Sequence, residues 1–103
     1  MTDPARTAVI GLGRMGSFHA AALTSVPELN VVALADVRRS SLDAVADLHP
    51  TATMYDDPAR ALTHPDLEAV LLATPTTTHS ALTLSAIEAN LHVLCEKPLA
   101  LDP

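Results

Sequence analysis

Apolar positions along this chain fall into two arrangements that alternate, continuous runs and spaced repeats. Val31 to Ala35 is a continuous run, Thr7 to Ile10 is apolar and β-branched, Leu67 to Ala73 has Val70-Leu71-Leu72 at its centre, Leu91 to Cys95 is the last strand candidate, and Thr51 to Tyr55 alternates with β-branched residues among its members. Short apolar runs bounded by turn residues predict strands, and unbroken apolarity marks strands covered on both faces. Val70-Leu71-Leu72 reads as the most buried of them. Between the runs the period changes. Met15, Phe18, Ala22 and Val26 recur at helical spacing, which predicts a helix from Arg14 to about Val26 with those four inward, closed by Pro27. Ser40-Ser41 can cap a helix from Leu42 to about Leu48, with Val45 and Leu48 inward and Pro50 as the stop. Asp56-Asp57-Pro58 pairs a cap candidate with Pro at the first turn and predicts a short helix to about Thr63. The hydroxyl-rich stretch Thr74-Pro75-Thr76-Thr77-Thr78-His79 leads into a last helix, for which Asn90 suits a left-handed stop.

Strand and helix alternate throughout, from a first strand to a fifth. Right-handed crossovers then give an α/β fold, a doubly wound parallel sheet of order 3-2-1-4-5. The switch point falls between the first and fourth strands, and ligands in this architecture bind at the carboxyl ends of strands. Gly11 to Gly16, Thr74-Pro75 and Glu96-Lys97 all follow strand ends.

The first strand end carries Gly11-Leu12-Gly13-Arg14-Met15-Gly16, a Gly-x-Gly-x-x-Gly between a strand and a helix. Each glycine has a physical role. Gly11 permits a tight turn, Gly13 lets a phosphate approach the main chain, and Gly16 lets the helix lie close to the strand. The helix start then offers free N–H groups to an anion. The pattern is weak alone and gains weight from an acid about 20 positions on. Asp36 ends the second strand, 20 positions after Gly16. A carboxylate there can accept hydrogen bonds from both ribose hydroxyls of an adenosine and repels a 2′-phosphate. The bland alternative is a helix cap or a solvated turn carboxylate. Arg38-Arg39 follows, and a guanidinium here is how NADP enzymes hold their extra phosphate. With the acid also present, NAD is expected over NADP, and the arginines are otherwise a solvated loop or a platform for adenine. His19 is expected to pack at the seam between the first helix and the sheet.

Composition narrows the picture. The chain has 103 residues, 49% of them hydrophobic, so it fits one domain with a real core rather than a disordered segment. Aromatics make up 2%, so the core is built from small aliphatics. The net charge of −6, from 12 acidic and 6 basic residues, argues against a nucleic-acid footprint. The single Cys95 excludes an internal disulfide and suits a reducing compartment. No two histidines have metal-ligand spacing and Cys95 has no second Cys beside it, and no run reaches membrane-span length or resembles a signal core. A soluble cytoplasmic protein with no metal, nucleic-acid or membrane partner is expected.

Three stretches taken together resemble one family. They are Gly11-Leu12-Gly13-Arg14-Met15-Gly16-Ser17-Phe18-His19, then Ala73-Thr74-Pro75 with His79, and then His92-Val93-Leu94-Cys95-Glu96-Lys97-Pro98-Leu99. The set is similar to the N-terminal half of the Gfo/Idh/MocA oxidoreductases, with a Rossmann-type nucleotide-binding fold. Glu96-Lys97-Pro98 is its most specific part. The resemblance implies transfer of hydride between a nicotinamide cofactor and a carbon of a sugar or cyclitol. It implies that Gly11, Gly13, Arg14, Met15 and Gly16 line the pyrophosphate, with Asp36 on the adenosine ribose and Arg38 close by. Thr74, Pro75 and His79 would lie along the nicotinamide, with Glu96 and Lys97 beside it. Lys97 would be the catalytic residue, polarising the reacting oxygen or assisting proton transfer. Thr76 stands where family members often carry Asn, and Asn90 where they often carry Gly.

The family's second domain, which resembles the substrate-binding half, has no counterpart in these residues, nor has a sixth strand. Leu99 to Pro103 reads like the approach to another helix. One incomplete nucleotide-binding domain over 1–103 is therefore expected, binding the dinucleotide weakly and turning over a sugar or polyol only with a C-terminal domain supplied. A stand-alone dinucleotide module without catalysis is the alternative. A methyltransferase-like fold would share the glycine turn but gives no reason for Glu96-Lys97-Pro98. An uncovered sheet edge leads to an expectation of self-association.

Overall fold

The computed structural model describes residues 4–73 and 76–95. Five parallel strands form one sheet: β1 (Ala5–Ile10), β2 (Leu29–Ala35), β3 (Thr53–Tyr55), β4 (Ala69–Leu72) and β5 (His92–Cys95), in the order β3-β2-β1-β4-β5. This is the order the alternation predicts. β1 lies at the centre, where Ile10 is level with Ala35 of β2 and Leu72 of β4. Its last residues, from Thr7 to Ile10, are fully buried. A register shift between Thr7 and Ala8 breaks the pairing with β2.

Among the described residues four α-helices cover the two faces: α1 (Arg14–Ala22), α2 (Arg39–Val45), α3 (Pro58–Ala61) and α4 (Thr76–Glu88). Side chains alternate along the strands and feed two cores. Ala8, Ile10, Ala33, Ala35, Val70 and Leu72 pack with Ala61, Leu62, Leu82 and Ala86 from the α3 and α4 side. Val9, Leu34 and Leu71 pack with Leu12, Ala20, Leu42 and Val45 from the α1 and α2 side. Each fully buried Ile, Leu or Val contributes about 1.5–3 kcal/mol relative to leaving it exposed, so the carboxyl ends of β1, β2 and β4 are firmly held.

Local signals hold at several boundaries. Asp57 caps α3, its Oδ1 accepting the Ala59 N–H at 3.1 Å, with Pro58 in the first turn. Asn90 follows α4 with φ 62°, the left-handed stop expected of it. Asp66 adopts φ 59° before β4, which the sequence did not announce.

Two helices depart from expectation. Among the described residues of α1, Gly16 and Ala20 are the buried ones, continued by Leu23 in the 3-10 turn Leu23–Ser25, while the side chain of Met15 lies outside the described residues. Phe18 is 63% exposed and Ala22 is exposed, so neither faces the sheet. The reason is steric: α1 rides so close to the strand end at Gly16 that the seam takes small side chains. α2 starts at Arg39, so Ser40 and Ser41 lie inside its first turn rather than capping it. Val45 is buried as expected, but Leu48 is 40% exposed. The chain tightens into a 3-10 turn at Ala46–Leu48, which carries Leu48 off the inner face.

Candidate functional site

The turn from β1 into α1 is held from below. Gly11 has φ 92°, a conformation that side chains resist, and its N–H donates to the Ala35 carbonyl at 2.8 Å. On the other side, Ala73 N–H donates to the Ile10 carbonyl at 2.8 Å. Gly16 is buried, and a Cβ there would overlap the Gly11 carbonyl oxygen and come within 2.7 Å of its carbon. Gly11 is thus required by its backbone conformation and Gly16 by the packing of helix against strand.

Gly13 differs. It is exposed, a Cβ on it would meet nothing within 4 Å among the described residues, and its φ of −69° is open to any residue. It is the N-cap of α1 without a side-chain cap bond, and the first turn of α1 holds no acidic residue. Helix starts orient N–H groups and a positive dipole end outward. Among the described residues, the main chain at Gly13 is thus left open above the end of β1, at the positive end of the α1 dipole.

Asp36 stands beside this opening, 9% exposed at the end of β2. Its Oδ2 accepts the Leu12 N–H at 2.6 Å and its Oδ1 accepts the Arg38 N–H at 2.8 Å. Its own N–H donates to the Tyr55 carbonyl at 3.1 Å. The spacing in sequence placed an acid by the glycine turn, and the structure brings the two into direct contact. The contact with Leu12 was not legible, because its donor is a backbone N–H that no side-chain letter marks. Val37, next in the chain, is 73% exposed. Arg38 is the exposed N-cap of α2, and Arg39 pairs with Asp43 at 3.3 Å on the helix surface.

The remaining expected site residues divide by position. His79 lies in α4, and Arg14 and Met15 open α1. The side chains of these three lie outside the described residues, as do Thr74, Pro75, Glu96 and Lys97 altogether. So does the expected helix approach from Leu99 to Pro103. His19 is half-buried and meets the Phe18 ring edge-on, with centroids 5.7 Å apart. Among the described residues no group of three His, Cys, Asp or Glu could hold a metal ion, and no helix is long and apolar enough to cross a membrane.

Comparison with known proteins agrees with this geometry. The Gfo/Idh/MocA family, described as an oxidoreductase family with an NAD-binding Rossmann fold, matches residues 5–103. Myo-inositol 2-dehydrogenase of Thermotoga maritima is 38% identical over 97 residues, covering 94% of this chain and 29% of the relative. The scyllo-inositol 2-dehydrogenase (NAD(+)) of Bacillus subtilis is 37% identical, covering 99% of this chain and 30% of the relative. Among solved structures, the scyllo-inositol dehydrogenase of Lactobacillus casei with bound NAD(H) and scyllo-inositol superposes with a TM-score of 0.85. It is 28% identical, and the match covers 96% of this chain and 29% of that one. The chain thus spans about 30% of the length of the curated relatives it matches. On the glycine turn, the sheet order and these matches, the chain belongs to the Gfo/Idh/MocA oxidoreductase family and carries its NAD-binding Rossmann domain.

Proposed function

We propose that this chain holds NAD in preference to NADP, as the cofactor-binding part of an oxidoreductase acting on a sugar or cyclitol carbon. The observation that carries the cofactor reading is the opening at Gly13 with the Asp36 carboxylate beside it. The residues present fit the group: Gly13 leaves room for a pyrophosphate, and the uncapped start of α1 supplies N–H donors. Gly11 and Gly16 shape that turn, and Arg14 and Met15 follow it in α1. Asp36 receives the adenosine ribose. Its two oxygens are already held by backbone donors, so the carboxylate does not swing aside for a 2′-phosphate, and this supports NAD. Arg38 then flanks the adenosine.

The nicotinamide, when bound, supplies the hydride donor or acceptor. By family resemblance Thr74, Pro75 and His79 would line its side, with Glu96 and Lys97 next to it. Lys97 would hold or move the proton at the reacting oxygen. The substrate class rests on the relatives, whose names give inositols and, in Escherichia coli, a D-glucoside as what those proteins act on. The substrate-binding residues would come from a further domain. We further propose a cytoplasmic setting and self-association, the latter through exposed apolar surface such as Leu84 and Ile87 of α4, which are 59% and 57% exposed.

Calorimetric titration of the chain with NAD and NADP tests the cofactor reading. Saturable NAD binding at least about tenfold tighter than NADP is expected, a discrimination of about 1.4 kcal/mol. No saturable binding, or tighter NADP, would overturn it.

A further inference from the structure

Asp36 touches two loops at once. Oδ2 accepts the Leu12 N–H at 2.6 Å and Oδ1 accepts the Arg38 N–H at 2.8 Å, with the side chain 9% exposed. Leu12 lies between Gly11 and Gly13, and Arg38 opens α2. One buried anion therefore ties the turn after β1 to the turn after β2. The glycine turn needs such a tie. Glycines allow the backbone many conformations, and the turn binds an anion well only if its N–H groups are already aimed. A hydrogen bond to a carboxylate is shorter and about twice as strong as one between neutral groups, more so away from water.

We propose that Asp36 is a positioning residue for the pyrophosphate turn, holding the Leu12 main chain in its binding conformation before any ligand arrives. The inference rests on the cofactor reading above for its ligand, and on the structure alone for the tie. It is compatible with a ribose role, because each carboxylate oxygen has two lone pairs and uses one on the backbone. It makes a separate claim, that Asp36 governs binding of a ligand with no ribose. Asn keeps the size of Asp but has one acceptor oxygen, and its NH2 would face a backbone N–H. Asp36→Asn therefore leaves one of the two amides without its acceptor, which costs more than the hydrogen bond contributes.

The test uses the whole 103-residue chain, labelled for NMR. In the ligand-free Asp36→Asn variant, the Leu12 amide is expected to exchange about tenfold faster than in the unsubstituted chain. Affinity for inorganic pyrophosphate, read from the shifts of the turn amides, is expected to fall about tenfold alongside that for NAD. If NAD binding falls while pyrophosphate affinity and Leu12 protection stay unchanged, Asp36 serves the ribose only and the proposal is overturned. A second measurement needs no substitution: a scalar coupling across the hydrogen bond, from the Leu12 nitrogen to the Asp36 carboxyl carbon. Its presence supports the tie and its absence overturns it, even if the variant does not fold. Absence of pyrophosphate shifts in the unsubstituted chain overturns the proposal too. If the coupling and the pyrophosphate loss are both found but NAD does not bind, the cofactor reading falls and the positioning role stands.

Discussion

The glycine turn has two sides built to opposite rules. Its underside, from Gly11 across to Gly16, is closed: Gly11 is at φ 92°, and a Cβ on Gly16 would collide with the Gly11 carbonyl. Its mouth, at Gly13, is open: the φ of −69° there is one any residue adopts, and a Cβ would meet nothing within 4 Å among the described residues. The difference separates what the fold demands of the turn from what a ligand would demand. Backbone conformation would select Gly11 and packing would select Gly16, whatever the protein bound. Among the described residues no packing demand selects Gly13, so its missing side chain points to a group that comes from outside.

The largest effect should come from the closed side. Gly16→Ala forces α1 off the end of β1 and should cost at least about 3 kcal/mol, the upper range for overpacking. Urea unfolding would read this as a fall in midpoint or as a chain that does not fold. A variant of near wild-type stability would show that the helix does not need its close approach, and the contrast between the two sides would vanish.

The smallest effect lies far from either side, at the pair formed by Tyr55 and His64. The hydroxyl and Nδ1 are 2.8 Å apart, with the rings edge to face. Burial, and then the positive charge of Arg6, lower the His64 pKa below 6.5, while Asp66 opposes them. A folded pKa below the unfolded one means that the unfolded chain binds more protons as pH falls. The contribution is therefore complete above about pH 6.5 and is lost as pH drops below it. Because solvent screens the group, the change should stay under about 1 kcal/mol. Thermal unfolding at pH 7.5 and 5.5, compared with His64→Gln, would isolate it. A stability difference that His64→Gln leaves untouched would assign the pH dependence elsewhere. NAD affinity should not follow it, which keeps this region distinct from the turn.

Much of this was legible in sequence because strands and caps write themselves in letters. Val31 to Ala35 and Val70 to Leu72 are unbroken apolar runs, and their burial in a central parallel sheet follows from that. Asp57-Pro58 and Asn90 carry their own backbone preferences. The inner face of α1 was hidden for a physical reason. Periodicity favours large residues such as Phe18, whereas a helix pressed against a strand end buries small ones, Gly16 and Ala20. Leu48 misled in a related way, since a 3-10 turn breaks the α-helical period that had placed it inward. At the site, the spacing from Gly16 to Asp36 found the acid. Its contact with the Leu12 N–H could not be read, because every residue but proline carries that donor.

The central claim is that the mouth of the turn exists for a dinucleotide. Gly13→Ala tests it most directly, with stability and NAD affinity measured on the same sample. The account predicts an unfolding free energy within about 1 kcal/mol of the unsubstituted chain, the scale of an N-cap change. It also predicts NAD binding weakened at least about tenfold, because the new Cβ stands where the pyrophosphate approaches. Unchanged NAD affinity in a folded Gly13→Ala chain would contradict it.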